Sequence, residues 1–312
     1  MVMNKLVAWV RIARPPIILI SCLGVLVGAL NTSAYLPTEG VIELSFFQIS
    51  MIILGAAALA AGLMIHNDVT DLKSDKVNRP HKPIPSGKIL TREARPMGIG
   101  LMILSIIIAS LLNYKDTGEI NWRCGIFTLT VVAVGLYYNY YGKYHGIFGN
   151  IAVAYGVGAI PFWGAIAIAP DHLLLMFPLA FAIFIQEIGR EIMVNAGDYN
   201  GDLKAGYKTL PVLIGRKKAM YVALIFYLAF VPLYPIPYFG WFGAEPALFG
   251  PFYLAGATIF VLALLSTWIL TYRIVLQGNE KRIWQAFERY ERTGTRLMVI
   301  FFQIMLLLEA FY

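Results

Sequence analysis

The stretch Asn67-Asp68-Val69-Thr70-Asp71-Leu72-Lys73-Ser74-Asp75 carries three aspartates at the end of a long apolar segment. A second acidic pair, Asp198 and Asp202, ends another apolar segment further along the chain. Carboxylates at the end of a membrane helix cost free energy unless a counter-charge or a ligand compensates them. The two clusters therefore predict a functional site at which two helix ends face each other.

The composition is that of a membrane protein. Of 312 residues, 59% are hydrophobic and only 14% are charged, whereas a soluble domain carries about 25% charged residues. Apolar runs long enough to cross a bilayer recur along the whole chain, which indicates an all-α, polytopic membrane protein. The two cysteines, Cys22 and Cys124, indicate neither a disulfide framework nor a zinc site.

We predict one integral membrane domain over residues 1–312 with nine transmembrane helices. The predicted spans are 17–36, 46–70, 95–113, 122–141, 147–169, 172–197, 217–236, 251–272 and 294–311. With the N-terminus in the cytoplasm, all but two of the 25 Lys and Arg residues fall on the cytoplasmic side. The exceptions are Lys115 and Arg123. The net charge of +7 is thereby explained by membrane topology and does not indicate nucleic-acid binding.

The residues of the first acidic stretch share one helix face. At about 100° per residue, Asn67, Asp71, Asp75 and Asp68 all fall within a sector about 100° wide. Both acidic helix ends lie on the predicted cytoplasmic side. The spacing therefore predicts a row of oxygen ligands that points in one direction.

The second acidic helix end has the same property. Glu187, Glu191, Asn195, Asp198 and Asp202 fall within a sector about 80° wide. Facing rows of carboxylate and amide oxygens, without histidine or thiolate partners, favour a hard cation, with Mg²⁺ preferred over zinc.

A basic loop rich in Pro and Gly follows each acidic row. Arg79 and Lys82 follow the first, and Lys204 and Lys208 follow the second. Because Mg²⁺ completes its coordination with phosphate oxygens and water, and because cations neutralise the remaining phosphate charge, the two rows and loops together predict a diphosphate site.

Simpler interpretations exist for each feature. Charged residues in cytoplasmic loops are usually solvated, and we expect only this for the charges between Lys281 and Arg292. Hydrogen bonding between membrane helices is an alternative role for Asn67 and Asn195, but their places inside the two acidic rows favour the site. The aromatic run 137–141, with Lys143 behind it, is typical of an interfacial belt or of the mouth of a pocket.

At these residues the sequence resembles the UbiA superfamily of intramembrane prenyltransferases. Asn67-Asp68-x-x-Asp71-x-x-x-Asp75 matches the first motif of that superfamily, and Asp198-x-x-x-Asp202 matches the second. The sequence departs from the pattern after the fourth span. Members often carry Tyr-x-x-x-Lys there, but Asn139 stands at the tyrosine position and Tyr140 is only three residues before Lys143.

The resemblance implies a ring of helices around a central cavity, capped by cytoplasmic loops. Two Mg²⁺ ions would clamp an isoprenyl diphosphate, which loses diphosphate as the allylic chain passes to a lipophilic acceptor. The implied catalytic residues are Asp68, Asp71, Asp75, Asp198 and Asp202, which with Asn67 are also the metal ligands. The expected substrate-binding residues are Asn67, Arg79, Lys82, Tyr140, Lys143, Glu191, Asn195, Lys204 and Lys208.

The acceptor is a separate question. Three phrases are similar to the archaeal branch that joins a geranylgeranyl chain to geranylgeranylglyceryl phosphate. They are Asn78-Arg79-Pro80-x-x-Pro83-Ile84-Pro85-Ser86-Gly87, Arg190-Glu191-Ile192 and Lys208-Thr209-Leu210-Pro211. The cations Lys204, Lys208, Arg216, Lys217 and Lys218 would suit such a phosphate-bearing acceptor.

Two alternatives stay open. The first is an aromatic prenyltransferase of quinone or chlorophyll-type biosynthesis. The second is a cation-coupled transporter, although a transporter predicts acids in mid-span and not at span ends. The sequence implies the lipid bilayer as surroundings and does not imply a protein partner. Neither chain-length specificity nor a general base follows from it.

Overall fold

The computed structural model describes residues 2–35, 44–114, 118–240 and 249–310, and across these ranges the chain is helical with no β-strand. Leu36, Lys115 and Phe311, which bear on the predicted spans and charge distribution, lie outside the described residues. A helix occurs at each of the nine predicted spans. These helices are α2 (Pro15–Tyr35), α3 (Phe46–Thr70), α5 (Thr91–Leu111), α6 (Trp122–Tyr140), α7 (Ile147–Ile168), α8 (Phe177–Ala205), α10 (Arg216–Phe230), α12 (Pro251–Leu276) and α14 (Thr295–Glu309). Two shorter helices, α1 (Val2–Ala13) and α11 (Ile236–Phe239), lie outside these nine.

Five of these helices, α2, α3, α5, α7 and α12, are long and apolar enough to cross a membrane by length and composition. The chain is therefore a multi-pass membrane protein. α8 has 29 residues but carries a row of charged side chains, and α10 and α14 have only 15 residues each. Membrane crossing by the remaining four helices stays a prediction.

The helix that carries the first acidic stretch has defined ends. α3 begins with a capping box, in which Gln48 N donates to Ser45 Oγ at 3.2 Å and Ser45 N donates to Gln48 Oε1 at 3.0 Å. It runs for 25 residues to Thr70. Asp71 interrupts the helix at φ −82° and ψ 3°, and α4 (Leu72–Asn78) continues from it. The interruption is so slight that the residues of the stretch keep their helical spacing.

The helices close into a ring. α2 packs against α3 and α7, α7 packs against α6 and α8, and α14 packs against α12 and α2. The α2–α7 contact brings two backbones together, because a Cβ on Gly28 would lie 2.0 Å from the Pro161 carbonyl oxygen and one on Gly164 would lie 2.0 Å from that of Val25. Small residues permit such close packing of membrane helices, and here they set the position of α2.

The connecting segments at one end of the ring are joined to each other. The turn Gly142–Tyr144 meets the segment before α9 (Leu210–Ile214), where Lys208 N donates to Lys143 O and Gly146 N donates to Lys208 O, both at 2.9 Å. Tyr207 Oη donates to the carbonyl oxygen of Thr70 at 3.1 Å. These bonds hold the ends of α3, α6 and α8 in one place.

The approach to the last span is also helical. α13 (Glu280–Ala286) continues through a π-helical segment (Phe287–Gly294) into α14 without a break. Glu291 and Thr295 of this stretch are buried. The interpretation of the charges in this region as solvated is wrong for Glu291 and Arg292, whereas Lys281, Arg282 and Arg289 are exposed as expected. π-Helical insertions are frequent at functional sites.

Candidate active site

A cavity of about 320 Å³ lies inside the ring, between α2, α3, α6, α7, α8 and α14. Its wall away from the acidic helix ends is apolar and includes Val25, Ala56, Val131 and Trp163. Gly156 on α7 also lines the cavity, and a Cβ added there would meet no atom within 4 Å. The other end of the cavity is lined by charged side chains. The cavity thus suits a ligand with a long apolar part and an anionic head.

The first acidic stretch lies at the charged end, and each of its aspartates has a cationic partner. Asp68 is paired with Arg14 and with Lys82, whose Nζ lies 3.0 Å from Asp68 Oδ1. Lys82 Nζ also lies 2.7 Å from Asp75 Oδ2, and Asp71 is paired with Lys143. Asn67 and Asp71 line the cavity, whereas Asp68 and Asp75 are buried beside it.

The second acidic end is arranged differently. Asp198 lines the cavity between two arginines, Arg79 and Arg292, with Arg292 Nη2 2.5 Å from Asp198 Oδ2. Asp202 is buried and, among the described residues, has no cationic partner. It accepts hydrogen bonds from Ser74 Oγ at 2.9 Å and from Thr209 Oγ1 at 3.3 Å.

Direct contacts between α4 and α8 join the two acidic ends. Asn78 Nδ2 donates to the carbonyl oxygen of Asp198 at 3.1 Å, in addition to the Ser74–Asp202 bond. The side chain of Asn78 lies over Gly201, where a Cβ would come within 2.1 Å of Asn78 Nδ2. Gly201 therefore allows the close approach that places the two rows of carboxylates face to face.

Burial and neighbouring cations shift the pKa values of these carboxyl groups in opposite directions. Burial, reinforced by Asp198, raises the pKa of Asp202 to about 7, and burial also raises the pKa of Asp75. Burial alone would raise the pKa of Asp198, but Arg292 and Arg79 hold that pKa below its usual value. Of these three carboxyl groups, Asp202 is the one whose negative charge is compensated least by neighbouring side chains.

The residues present fit Mg²⁺ ions that share few protein ligands. The donor set is carboxylate and amide oxygen, as a hard cation requires. Among the described residues no group of three or more His, Cys, Asp or Glu side chains is gathered as a metal cage. Mg²⁺ needs no such cage, because it binds through one or two carboxylates and completes its coordination with water and phosphate.

The structure corrects the position of the predicted pocket tyrosine. The ring of Tyr140 lies outside the cavity lining, 48% exposed, and its hydroxyl lies 3.2 Å from His66 Nε2. Tyr138 lines the cavity instead, with Lys143 Nζ 5.2 Å from the centre of its ring. Asn139 lines the cavity as well and accepts a bond from Asn67 Nδ2 at 2.9 Å. Lys143 is buried next to Asp71, where it also donates to Thr70 Oγ1 at 3.1 Å.

The row on α8 faces the cavity over most of its length. Glu187, Glu191, Asn195 and Asp198 line the cavity, and Asp202 lies beyond its lining. Arg190, which the row did not include, lines it too and donates through Nε to Glu187 Oε2 at 2.7 Å. The Glu–Arg pair keeps two opposite charges inside the ring.

The cations that follow the second row are not brought to the cavity. The side chains of Lys204 and Lys208 are exposed and do not line it. Arg216 is paired with Glu280, 2.9 Å from its Oε1, and Lys217 and Lys218 are exposed. The structure therefore assigns no contact with the cavity to the surplus of cations in this region.

Besides Arg190, three further arginines at the cavity were not among the predicted site residues. They are Arg14 before α2, Arg292 in the π-helical segment and Arg296 in α14. Their common sequence signal is a position at the charged end of a span, which is also the signal of membrane topology. Only the packing of α14 against α2 distinguishes these arginines from solvated ones.

Comparison with known proteins agrees with this geometry. The UbiA prenyltransferase family matches residues 19–301. The chain belongs to the UbiA prenyltransferase family. It is therefore a membrane-embedded prenyltransferase. It is similar to the digeranylgeranylglyceryl phosphate synthase of Saccharolobus solfataricus, with 33% identity over 239 residues that cover 75% of this chain and 78% of the relative.

Solved structures of UbiA homologues share this fold. One is a digeranylgeranylglyceryl phosphate synthase, with TM-score 0.66, 22% identity and coverage of 98% of both chains. Another is the UbiA homologue from Archaeoglobus fulgidus bound to GPP and Mg²⁺, with TM-score 0.63 and 17% identity over 96% of this chain and 99% of that one. The ring of helices is thus the fold of this prenyltransferase family.

Proposed function

We propose that this prenyltransferase transfers a geranylgeranyl group from geranylgeranyl diphosphate to geranylgeranylglyceryl phosphate in ether-lipid synthesis. The observation that carries the proposal is a cavity with an apolar wall at one end and, at the other, two facing acidic rows surrounded by basic side chains. The similarity to the Saccharolobus solfataricus synthase supports this choice of donor and acceptor.

The donor diphosphate and two Mg²⁺ ions would occupy the space between the acidic rows. Asp68, Asp71 and Asp75 with Asn67 on one side, and Asp198 and Asp202 on the other, would hold the metal. The Archaeoglobus fulgidus homologue bound to GPP and Mg²⁺ supports an isoprenyl diphosphate and Mg²⁺ as the ligands. When bound, the metal neutralises the negative charge that develops on the departing diphosphate.

The protein's own cations would take part in the same stabilisation. Lys82 and Arg79 hold Asp75 and Asp198, and Lys143 holds Asp71. Arg79 and Lys82 line the charged end of the cavity, and Lys143 is buried beside Asp71. As the bond between C1 and the diphosphate oxygen breaks, fixed positive charges there lower the energy of the transition state.

The cavity wall would protect the reacting carbon. Ala56, Val131 and Trp163 line it with apolar groups that exclude water. The acceptor hydroxyl oxygen forms the new ether bond to C1, diphosphate leaves with the electrons of the broken bond, and the hydroxyl proton is released. The products are the diether, diphosphate and a proton.

The membrane arrangement belongs to the same proposal. Nine spans within the single domain 1–312, with the N-terminus and the active site on the cytoplasmic side of the cell membrane, would place 23 of the 25 basic residues in the cytoplasm. Both acidic rows would then meet a water-soluble pool of Mg²⁺ and release diphosphate into it.

The decisive experiment is a reaction with purified protein, labelled geranylgeranyl diphosphate, Mg²⁺ and geranylgeranylglyceryl phosphate. The expected product is the labelled diether, and it should not form in EDTA. A parallel reaction with 4-hydroxybenzoate tests the aromatic alternative. Prenylation of the aromatic ring without any diether would overturn the proposal.

A further inference from the structure

Arg296 is a cation without a partner. It lies in the first turn of α14, is half-buried and lines the cavity. Among the described residues it has no hydrogen bond or ion pair with any side chain. A guanidinium in this position gives up part of its hydration without gaining a counter-ion, which costs free energy. Such a group is conspicuous in a membrane protein, because cations inside the membrane region are usually paired or functional.

The charges around Arg296 make its position still less favourable. The strongest of them are those of Arg190, Arg14 and Arg292, with the carboxylate of Glu288 a weaker one. Each of these three neighbouring arginines already has a carboxylate partner. Arg190 is held by Glu187, Arg14 by Asp68, and Arg292 by Asp198 and by Glu288 at 2.9 Å.

The cavity lining as a whole carries an excess of positive charge. It contains six cations and four carboxylates: Arg14, Arg79, Lys82, Arg190, Arg292 and Arg296 against Asp71, Glu187, Glu191 and Asp198. An anion is the ligand that would relieve this excess at Arg296. The planar guanidinium matches two oxygens of a phosphate and holds it through two parallel hydrogen bonds.

We propose that Arg296, with Arg14 and Arg292 in the same cavity lining, binds the phosphate of the acceptor, a phosphomonoester of a lipid alcohol. This inference rests on the proposed function. In the proposed function the donor diphosphate lies with the aspartates and with Arg79, Lys82 and Lys143, and among the described residues no ion pair joins any of these to Arg296. The side chains next along the two helices, Val299 on α14 and Ile17 and Ile20 on α2, line the cavity with apolar surface for the lipid chain.

Steady-state kinetics of Arg296→Gln test the inference. The KM for geranylgeranylglyceryl phosphate should rise on the order of 10- to 100-fold, because a charge-assisted contact is lost. The KM for geranylgeranyl diphosphate should stay within about twofold of the wild type. Arg296→Lys keeps the positive charge but cannot donate two parallel hydrogen bonds. Its KM for geranylgeranylglyceryl phosphate should therefore lie between those of the wild type and Arg296→Gln.

A matched control is available in the same helical stretch. Arg289 is exposed, and its guanidinium lies 5.8 Å from the ring centre of its neighbour Tyr290. Arg289→Gln removes the same charge outside the cavity and should leave both KM values unchanged. Equal size-exclusion profiles and melting temperatures of the variants show that the folded protein is being compared.

A second measurement shows which chemical group is recognised. The wild-type protein should prefer the phosphorylated acceptor over the same lipid without phosphate, and Arg296→Gln should lose at least about tenfold of that preference. Inorganic phosphate should compete with the acceptor in the wild type and more weakly in Arg296→Gln. Inhibition by phosphate that competes only with the donor would overturn the inference.

The outcomes separate this inference from the proposed function. If the wild-type protein forms no diether, the proposed function fails. If it forms diether and Arg296→Gln changes neither KM, or changes the donor KM instead, the proposed function stands and the acceptor site is wrong. A rise confined to the acceptor KM, with the lost preference for phosphate, confirms it.

Discussion

The two acidic helix ends look alike in sequence but differ in how their charges are balanced. At the end of α3 every aspartate is paired with Lys or Arg. At the end of α8, Asp198 has two arginines, whereas Asp202 has only two hydroxyl donors among the described residues. A cation bound at the end of α8 would thus gain the most electrostatic stabilisation from Asp202. At the end of α3 it would have to displace the Lys and Arg side chains that already neutralise the aspartates.

The largest effect is expected from removing one carboxylate charge at either end. Asp71→Asn and Asp202→Asn should each lower Mg²⁺-dependent turnover by at least about 100-fold, because an amide is a far weaker ligand for a hard cation. Turnover at saturating donor and Mg²⁺ is the measurement. Asp171→Asn is the control, since Asp171 is paired with Arg123 away from the cavity. Near-normal turnover in both variants would contradict the metal assignment.

The residue that joins the two ends should come next. Arg79 is paired with Asp198 and lies 3.4 Å from Asp75 Oδ1. Arg79→Gln should raise the KM for the donor on the order of 10- to 100-fold, because a cation that faces the diphosphate is lost. Lys76→Gln on the exposed side of α4 is the control and should leave this KM unchanged. An unchanged KM in Arg79→Gln would remove Arg79 from the donor site.

A smaller effect on turnover is expected from removing an uncharged contact between the two acidic helix ends. Asn78→Ala removes the bond to the Asp198 carbonyl oxygen and the contact with Gly201. We expect a loss of about 1 kcal/mol in stability and a fall in turnover of about threefold to tenfold, because the carboxylate rows lose alignment. Asn200→Ala on α8, which removes an exposed bond to Glu280, should have neither effect. If both variants behave alike, the alignment of the rows does not depend on Asn78.

The smallest effect concerns a third acid, which extends the comparison to the π-helical segment. Glu291 is fully buried and neither of its carboxylate oxygens has a hydrogen-bond partner among the described residues. Burial raises its pKa to about 8, although the charge of Arg190 opposes the shift. The folded state therefore keeps a proton that the unfolded state loses above its ordinary pKa of 4.5, and stability falls as the pH rises from about 4.5 to about 8.

Glu291→Gln should remove that part of the pH dependence. The melting temperature in detergent, measured between pH 5 and pH 9, should fall by a few degrees less in the variant than in the wild type. Tyr227 and Arg190 face the same carboxyl group and are present in both proteins, so they leave the comparison unaffected. Parallel curves for the two proteins would show that Glu291 is ionised throughout.

Helical spacing accounts for the part of the site that the sequence predicted. Both rows of oxygen ligands follow from a period of about 3.6 residues, and the structure places most of their members at one cavity. The rotation of a helix about its own axis does not follow from spacing alone. α6 turns Tyr138 and not Tyr140 inward, because Gly135 packs so closely on Leu63 that a Cβ there would lie 2.5 Å from Leu63 Cδ2.

It was harder to predict which of the basic residues near the spans line the cavity. Arg292 and Lys204 both belong to charged stretches next to a span, yet only Arg292 lines the cavity. The difference arises because a continuous π-helical segment carries Arg292 toward α8, whereas Lys204 lies on the outer side of the last turn of α8. Charge and distance from a span do not distinguish these two cases, and only tertiary packing does.

The empty space beside Gly156 has a consequence for how the length of the transferred chain can change. A Cβ at this position would meet no other atom within 4 Å, so a side chain there has free space to occupy at the cavity. Gly100 on α5 is equally free of neighbours but does not line the cavity. One nucleotide change in a glycine codon can therefore make the cavity shallower, which gives evolution a short route to enzymes that build shorter lipids on the same catalytic centre.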